Sequence, residues 1–240
     1  GASLASVRGA DRDWSRDGVV GGCGCGESCM VLRVAALAPR RGSTVRLIAA
    51  VSLNGVIGRE GQLPWRLPVD RTWFMDLVRG HVLVIGRRSF EETGRVLPGV
   101  GHTIVVTRSA TSTFPGAETR TSVPDAIERA RQVAARRGGE CVVWVGGGEQ
   151  VYREAFPIAQ DLYLTRVHQL VQDGDAYFPP DYARWFPRTC WSHHEFCESE
   201  DDESSSSSSN RAAAATTHLE FSILTREEEG ARKGIGRVVG

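Results

Sequence analysis

The sequence predicts an α/β fold: a single domain on a mostly parallel central sheet flanked by helices, with an antiparallel hairpin at its C-terminal edge. Three observations carry this. Between Val45 and Val167, short β-rich apolar runs alternate with helical patterns, the order that sets parallel strands under crossover helices. Two of these runs end in glycine and lead into a helix, at Gly86 and at Gly146-Gly147-Gly148. After Val167 the helical patterns stop, and two strand-like runs, 189–196 and 218–224, are left to pair at the sheet edge.

The first element, "VRLIAAV" (45–51), reads as a buried strand. A helix over 68–79 follows, with Pro68 suited to its first turn and Gly80 to its end. "HVLVIG" (81–86) is a strand that turns into a short helix from Ser89, and "HTIVVT" (102–107) is a third strand. "VPDAIERARQVAARRGG" (123–139) is an amphipathic helix with Ala126, Ile127, Ala130 and Val133 facing inward and Gly138-Gly139 at its end. "CVVWV" (141–145) runs into the three glycines and a short helix; "DLYLTRV" (161–167) is the next strand; "TCWSHHEF" and "HLEFSIL" complete the sheet.

Around this domain, 44–225, lie stretches without periodicity. Residues 1–43 read as a glycine-rich, unstructured leader. Its arginines and serines suit a transit peptide, but Asp11, Asp13, Asp17 and Glu27 do not. Cys23, Cys25 and Cys29 crowd together there, yet no second ligand pair at zinc-like spacing accompanies them, and no metal is assigned. Residues 198–217 are an acidic, serine-rich insert with too little apolar surface to order itself, and 226–240 read as a tail.

The chain has 240 residues, with 29 basic and 29 acidic side chains. Zero net charge gives no electrostatic case for nucleic acid or an anionic membrane. No apolar run approaches the roughly 18–20 residues of a membrane span. A cytoplasmic monomer is expected, in a compartment that keeps cysteines reduced.

The chemistry begins with Asp70. Asp70, Trp73, Phe74 and Leu77 fall at i, i+3, i+4 and i+7, so a carboxylate lies on the apolar stripe of its helix. Such an acid is costly to bury unless it caps, pairs, or meets a ligand that supplies its partner. A flat heterocycle with an N–C–N edge would fit, offering two parallel donors to the two oxygens. "VWVGGGEQVY" (143–152) brings glycine backbone to a helix start, either to approach a phosphate or simply to turn tightly. Arg87, Arg88 and Arg108 stand at the carboxyl ends of predicted parallel strands, where such sheets bind ligands. Arginines and hydroxyls there favour the 2′-phosphate of NADP over the bare ribose of NAD.

These stretches together resemble dihydrofolate reductase. "LIAAVSLNGVIGREGQLPWRLPVDRTWF", "VLVIGRRSFEETGRVLPG", "VVWVGGGEQVY", "LYLTRV", "GDAYFP" and "HLEFSIL" follow the family's order at nearly its spacing, over about three quarters of the chain. "LPWRLPVD" is the most specific. The resemblance implies reduction of 7,8-dihydrofolate with NADPH, dihydrofolate and antifolates as ligands, and a role for each matching residue. Asp70 would hold the pterin ring, Trp65 an ordered water beside it, and Thr165 the carboxylate, with Leu63 also at the catalytic centre. Ile48, Ala49, Phe74, Thr93, Arg95, Leu97 and Gly146 would line the substrate site. Ala50, Ile57, Gly58, Gly86, Arg87, Arg88, Ser89, Thr107 and Arg108 would bind NADPH, as would Gly147, Gly148, Glu149, Gln150, Val151 and Tyr152. Gly147-Gly148 match a cis peptide, Gly58 to Leu63 a mobile loop over the nicotinamide, and Gly174-Asp175 its brace.

Three departures stand out. After "LPG" the family carries an arginine for the substrate's glutamate α-carboxylate; here the sequence reads "VGHTIVVTR". Ala176 stands where a threonine is usual, and the insert lengthens the last hairpin. Two alternatives are therefore kept: a catalytically impaired folate-binding homologue, and an NADPH-dependent reductase of another heterocycle such as a riboflavin precursor. Enzymes of the second kind lack "PW" followed by the helix aspartate.

Overall fold

Eight strands form one twisted sheet in this computed structural model, which describes residues 44–137, 141–198 and 216–226. In chain order the strands are β1 (Val45–Ser52), β2 (Val56–Gly58), β3 (Val82–Gly86), β4 (His102–Val106), β5 (Glu118–Arg120), β6 (Val143–Val145), β7 (Asp161–Val167), β8 (Ala176–Tyr177), β9 (Arg188–Glu198) and β10 (Thr216–Thr225). The helices are α1 (Pro68–Val78), α2 (Arg87–Thr93), α3 (Val123–Arg137), α4 (Glu149–Ala155) and α5 (Tyr182–Trp185). The sheet order is β5-β4-β3-β6-β1-β7-β10-β9, while β2 and β8 pair separately. β5 through β7 are parallel, and β10 and β9 add the antiparallel edge.

The period-2 alternation of the strands builds two cores. Val82 and Val84 of β3 face α3 and α4, packing with Ala126, Ile127, Ala130 and Tyr152. Leu83 and Ile85 face α1 and α2, packing with Trp73, Leu77 and Phe90. α1 thus lies on the sheet with Trp73 and Leu77 buried, while Asp70 on the same stripe is half-buried. The ends of β1 and β6 meet near the middle of the sheet, where connections leave in both directions. That crevice is where an open α/β sheet takes its ligands.

Several boundaries differ from the sequence expectation. α2 starts at Arg87, two residues before Ser89, because Gly86 already serves as its N-cap. The strand expected over 141–145 is regular only from Val143. Helices do not stop after Val167: the four-residue α5 packs between Asp181 and Phe186, too short to show a period. β2, β5 and β8 were hidden for the same reason, at two or three residues each. The hairpin strands run further into the insert than 198–217 allows, since Cys197 pairs with Thr217 and Glu198 with Thr216. The domain also runs one residue past Thr225. Arg226 donates from Nε to the Ala159 carbonyl at 3.1 Å and from Nη2 to the Phe156 carbonyl, and its guanidinium lies over Trp185. The expectations for the leader, most of the insert and the rest of the tail fall outside the described residues.

Candidate functional site

α1 carries Asp70 against the sheet because its apolar residues recur at the helical period and Pro68 occupies its first turn. The Thr165 hydroxyl, on the buried face of β7, lies beside the Asp70 carboxyl. Apolar surroundings push that carboxyl up from 3.8 to about 6, and the Thr165 hydroxyl pulls the other way. Thr165 itself pairs in register with Ala50 of β1 and Phe221 of β10, so the supporting hydroxyl is fixed from both sides. Trp65 is buried in the core that also holds Trp73 and Leu77 of α1, and its Nε1–H has no acceptor among the described residues.

The glycine run supplies close approach. The Gly147-Gly148 peptide is cis, and Gly147 has φ +116°. The Gly86 amide donates to the Gly147 carbonyl at 2.6 Å. A Cβ on Gly86 would sit 3.3 Å from the Gly148 nitrogen and 3.2 Å from Val151, and one on Gly147 would sit 3.2 Å from the Tyr152 hydroxyl. Only glycine leaves this space open. Gly86 and Gly148 are the N-caps of α2 and α4, and neither helix start is closed by a capping side chain.

Tyr152 closes one wall. Its hydroxyl donates to the Ile48 carbonyl at 2.7 Å. Burial holds the phenol well above its ordinary range, with the charges of Asp70 and then Glu92 adding to the effect. Tyr152 therefore keeps its proton and belongs as much to the Asp70 pocket as to the expected cofactor face. Phe74, Leu97 and Ala50 are half-buried against the same core as Ile48, and Gly146 lies against Leu83, Ile85 and Phe74.

At the strand ends, Arg88 and Arg108 are exposed and without a protein partner among the described residues. β3 and β4 pair in parallel up to Gly86 and Val106, so these guanidinium groups leave adjacent strands at the same end of the sheet. Arg87 differs, since its Nη1 contacts both Glu91 oxygens at 2.9 Å. The side chains of Glu149 and Gln150 are engaged elsewhere: Glu149 accepts from the Tyr177 amide and Arg153, and Gln150 bonds Glu154. What these two offer a cofactor is backbone. Thr107 is buried, and its hydroxyl accepts the Ser109 amide at 3.3 Å. Ser89 Oγ would lie 3.4 Å from a Cβ on Gly147, on the glycine cradle. Thr93 and Arg95 are exposed at the end of α2, where the Thr93 hydroxyl bonds the Phe90 and Arg95 carbonyls.

The start of the loop at 58–63 meets the Gly174-Asp175 turn. The Asp175 amide donates to the Gly58 carbonyl at 3.1 Å, and a Cβ on Gly174 would strike Val56 at 2.5 Å. Ile57 precedes this loop, half-buried in the core of α3 and α4. Leu63, at the loop's other end, is 48 % exposed, and its amide donates to Glu92 at 2.9 Å. Glu92 is the residue that sequence reasoning missed. An acid near the end of a short helix carries no local mark of facing a cleft.

A family model described as dihydrofolate reductase matches residues 44–215. Among curated proteins, the chain is 36% identical over 142 residues to the dihydrofolate reductase of Bacillus subtilis, covering 59% of this chain and 79% of that one. It is 39% identical over 142 residues to the dihydrofolate reductase of Mycobacterium leprae, covering 57% and 81%. Among solved structures, the dihydrofolate reductase of Enterococcus faecalis complexed with NADP(H) and RAB-propyl aligns with a TM-score of 0.62 at 28% identity, covering 77% of this chain and 97% of that one.

Proposed function

The chain belongs to the dihydrofolate reductase family, and from that premise we propose how its own residues carry the NADPH-dependent reduction of 7,8-dihydrofolate to 5,6,7,8-tetrahydrofolate. The observation that carries the reading is Asp70, an acid on the apolar stripe of α1, whose carboxyl lies beside the Thr165 hydroxyl and is pushed by burial up to about 6. Its two oxygens receive the N3–H and 2-amino donors of the pterin. Those parallel charge-assisted bonds supply what the protein alone does not, and they stabilise the charged form. Ile48, Ala49, Phe74, Leu97 and Gly146 line the ring and its neighbour, and Thr93 and Arg95 lie towards the substrate's tail.

The residues present also fit the cofactor. Arg88 and Arg108 are free for a phosphate among the described residues, the cradle of Gly86, Gly147 and Gly148 leaves room for close approach, and Ser89 and Thr107 add hydroxyls. Bound NADPH supplies the hydride, from C4 of its nicotinamide to C6 of the pterin. Asp70 polarises the ring from its N3 edge, and a water delivers the proton to N5 because the carboxylate is committed to that edge. The Trp65 Nε1–H, buried without an acceptor among the described residues, is the donor we assign to that water.

The domain is read as 44–225 extended by Arg226, and no proposed site residue lies in the leader, the insert or the tail. A cytoplasmic monomer without a nucleic-acid or membrane partner completes the proposal. Among the described residues, no helix is long and apolar enough to cross a membrane.

The test follows NADPH consumption by absorbance with dihydrofolate, for the wild type and Asp70→Asn. The variant should lose about a hundredfold or more in kcat at neutral pH, since positioned groups of this kind contribute roughly 10²–10⁴. Part of the activity should return in acid, where the substrate enters already protonated. A variant within threefold of the wild type would remove Asp70 from the mechanism. No activity with dihydrofolate but turnover of a riboflavin precursor would favour the other reductase.

A further inference from the structure

Residues 59–64 form a strap between β2 and α1. Its tip is a tight turn in which Arg59 and Gln62 exchange both backbone hydrogen bonds, at 2.9 and 3.0 Å. Glu60 and Gly61 at the tip take φ values of 54° and 78°. Behind the strap, Gly58 is fixed by Asp175; ahead of it, Trp65 and Leu67 are buried in the core. Between those anchors, one hydrogen bond joins the strap to the rest of the described protein. It runs from the Leu63 amide to Glu92 Oε1 at 2.9 Å.

Glu92 is exposed near the end of α2, and its carboxylate is the group of that helix that reaches the strap, 29 positions away in the chain. α2 also carries Arg88 and Ser89, one helical turn before Glu92. A side chain rooted in that helix thus holds the strap.

We propose that Glu92 is a positioning residue for hydride transfer: its carboxylate holds the strap onto α2 through the Leu63 amide and so keeps the crevice covered while the reaction occurs. The contact is charge-assisted, and such bonds are roughly twice as strong as neutral ones. A glutamine keeps an acceptor oxygen without the charge, whereas an alanine keeps neither. The fraction of molecules with the strap in place sets the fraction competent to react, so losing the bond slows the hydride step more than it weakens pterin binding.

The experiment compares the full chain with Glu92→Ala and Glu92→Gln in two measurements. The first is hydrogen exchange at the Leu63 amide. It should speed up roughly tenfold in Glu92→Ala and by less in Glu92→Gln, with the core amides of β1 and β7 unchanged. The second is single-turnover oxidation of NADPH and its 4-deuterated form by dihydrofolate. The hydride rate should fall about tenfold in Glu92→Ala, with partial rescue in Glu92→Gln and a dihydrofolate Kd within threefold of the wild type. Unchanged Leu63 exchange in Glu92→Ala would overturn the contact. Faster exchange with an unchanged hydride rate would overturn its role. The hydride readout rests on the reductase reading, and the exchange readout does not. A wild type with protected Leu63 but no turnover of dihydrofolate would sink that reading and the role of Glu92 together, while leaving the contact standing.

Discussion

Thr165 on β7 lies beside Asp70 on the first helix and eases the burial of its carboxyl, though the two are 95 positions apart in the chain. One hydroxyl does not compensate the burial of a carboxylate, which is why the acid titrates at about 6 instead of 3.8. The free protein thus carries a carboxyl whose charged form is disfavoured by its surroundings.

That imbalance makes stability and activity move in opposite directions at Asp70. The folded-state value of about 6 lies above the unfolded 3.8, so the folded protein binds this proton more tightly. Stability is then lost as pH rises from about 4 through 6, and the penalty is complete above that window. Two units correspond to at most about 3 kcal/mol, and solvent reaching the half-buried side chain reduces this. Asp70→Asn should therefore melt higher than the ligand-free wild type at pH 8, with the gain vanishing near pH 4. Thermal melts at pH 8, 6 and 4 measure it. A gain that grows in acid would contradict the desolvated state of the carboxyl.

Cofactor choice tests the strand ends. Arg88 and Arg108 have no protein partner among the described residues, so replacing them removes little from the fold. The double alanine variant should raise KM for NADPH far more than for NADH, because only the former carries a 2′-phosphate for charge-assisted bonds. Arg87→Ala should have the smaller effect, since its guanidinium is already taken by Glu91. Steady-state kinetics with both cofactors decide the matter; equal losses for the two would place the phosphate elsewhere.

Asp70 was legible in the sequence because one helical period puts a charge among Trp73, Phe74 and Leu77, a conflict visible within eight residues. The glycine run was legible as a close backbone approach because three glycines join a strand to a helix, but the same run serves a tight turn equally well. The bond between Tyr152 and Ile48 spans 104 positions, and that between Leu63 and Glu92 spans 29. Neither leaves a local pattern, because each exists only once the sheet order has brought β1 beside β6 or the strap across to α2. Arg226 was missed for a related reason. It follows the last strand as an ordinary charge, and only the fold reveals the carbonyls of Phe156 and Ala159 waiting for it.

The insert offers a test of modularity. β9 and β10 pair from Arg188 and Thr225 out to Glu198 and Thr216. Deleting Ser199–Ala214 and closing with a short turn should leave kcat nearly unchanged and the melting temperature within a few degrees, because loop closure depends only weakly on length. Circular dichroism melts and NADPH kinetics of the deletion variant check this. A collapse in stability would mean that the insert packs against the domain.

The missing arginine after "LPG" leads to the most specific prediction, and the structure narrows it to one position. Gly101 cannot take a side chain: a Cβ there would lie 2.5 Å from the Gly80 carbonyl and 2.8 Å from Arg137. His102 is not a substitute either, because its Nε2 pairs with Glu118 at 2.9 Å. Val100 is half-buried against the core, its backbone bridging Arg79, so this position remains for the substitution. Arg95, exposed beyond the end of α2, is the residue proposed to meet the substrate's tail. Val100→Arg should tighten methotrexate and dihydrofolate roughly ten- to a hundredfold, the worth of about 1.5–3 kcal/mol for a charged pair. A small diaminopyrimidine without the glutamate should bind as before, and Gly101→Arg should fail to fold stably. Arg95→Ala should weaken the glutamate-bearing ligands alone. Titration of the four proteins with both inhibitors separates these outcomes. If the wild type already holds methotrexate tightly and Arg95→Ala leaves that affinity intact, another group receives the carboxylate, and the tail does not run past Arg95.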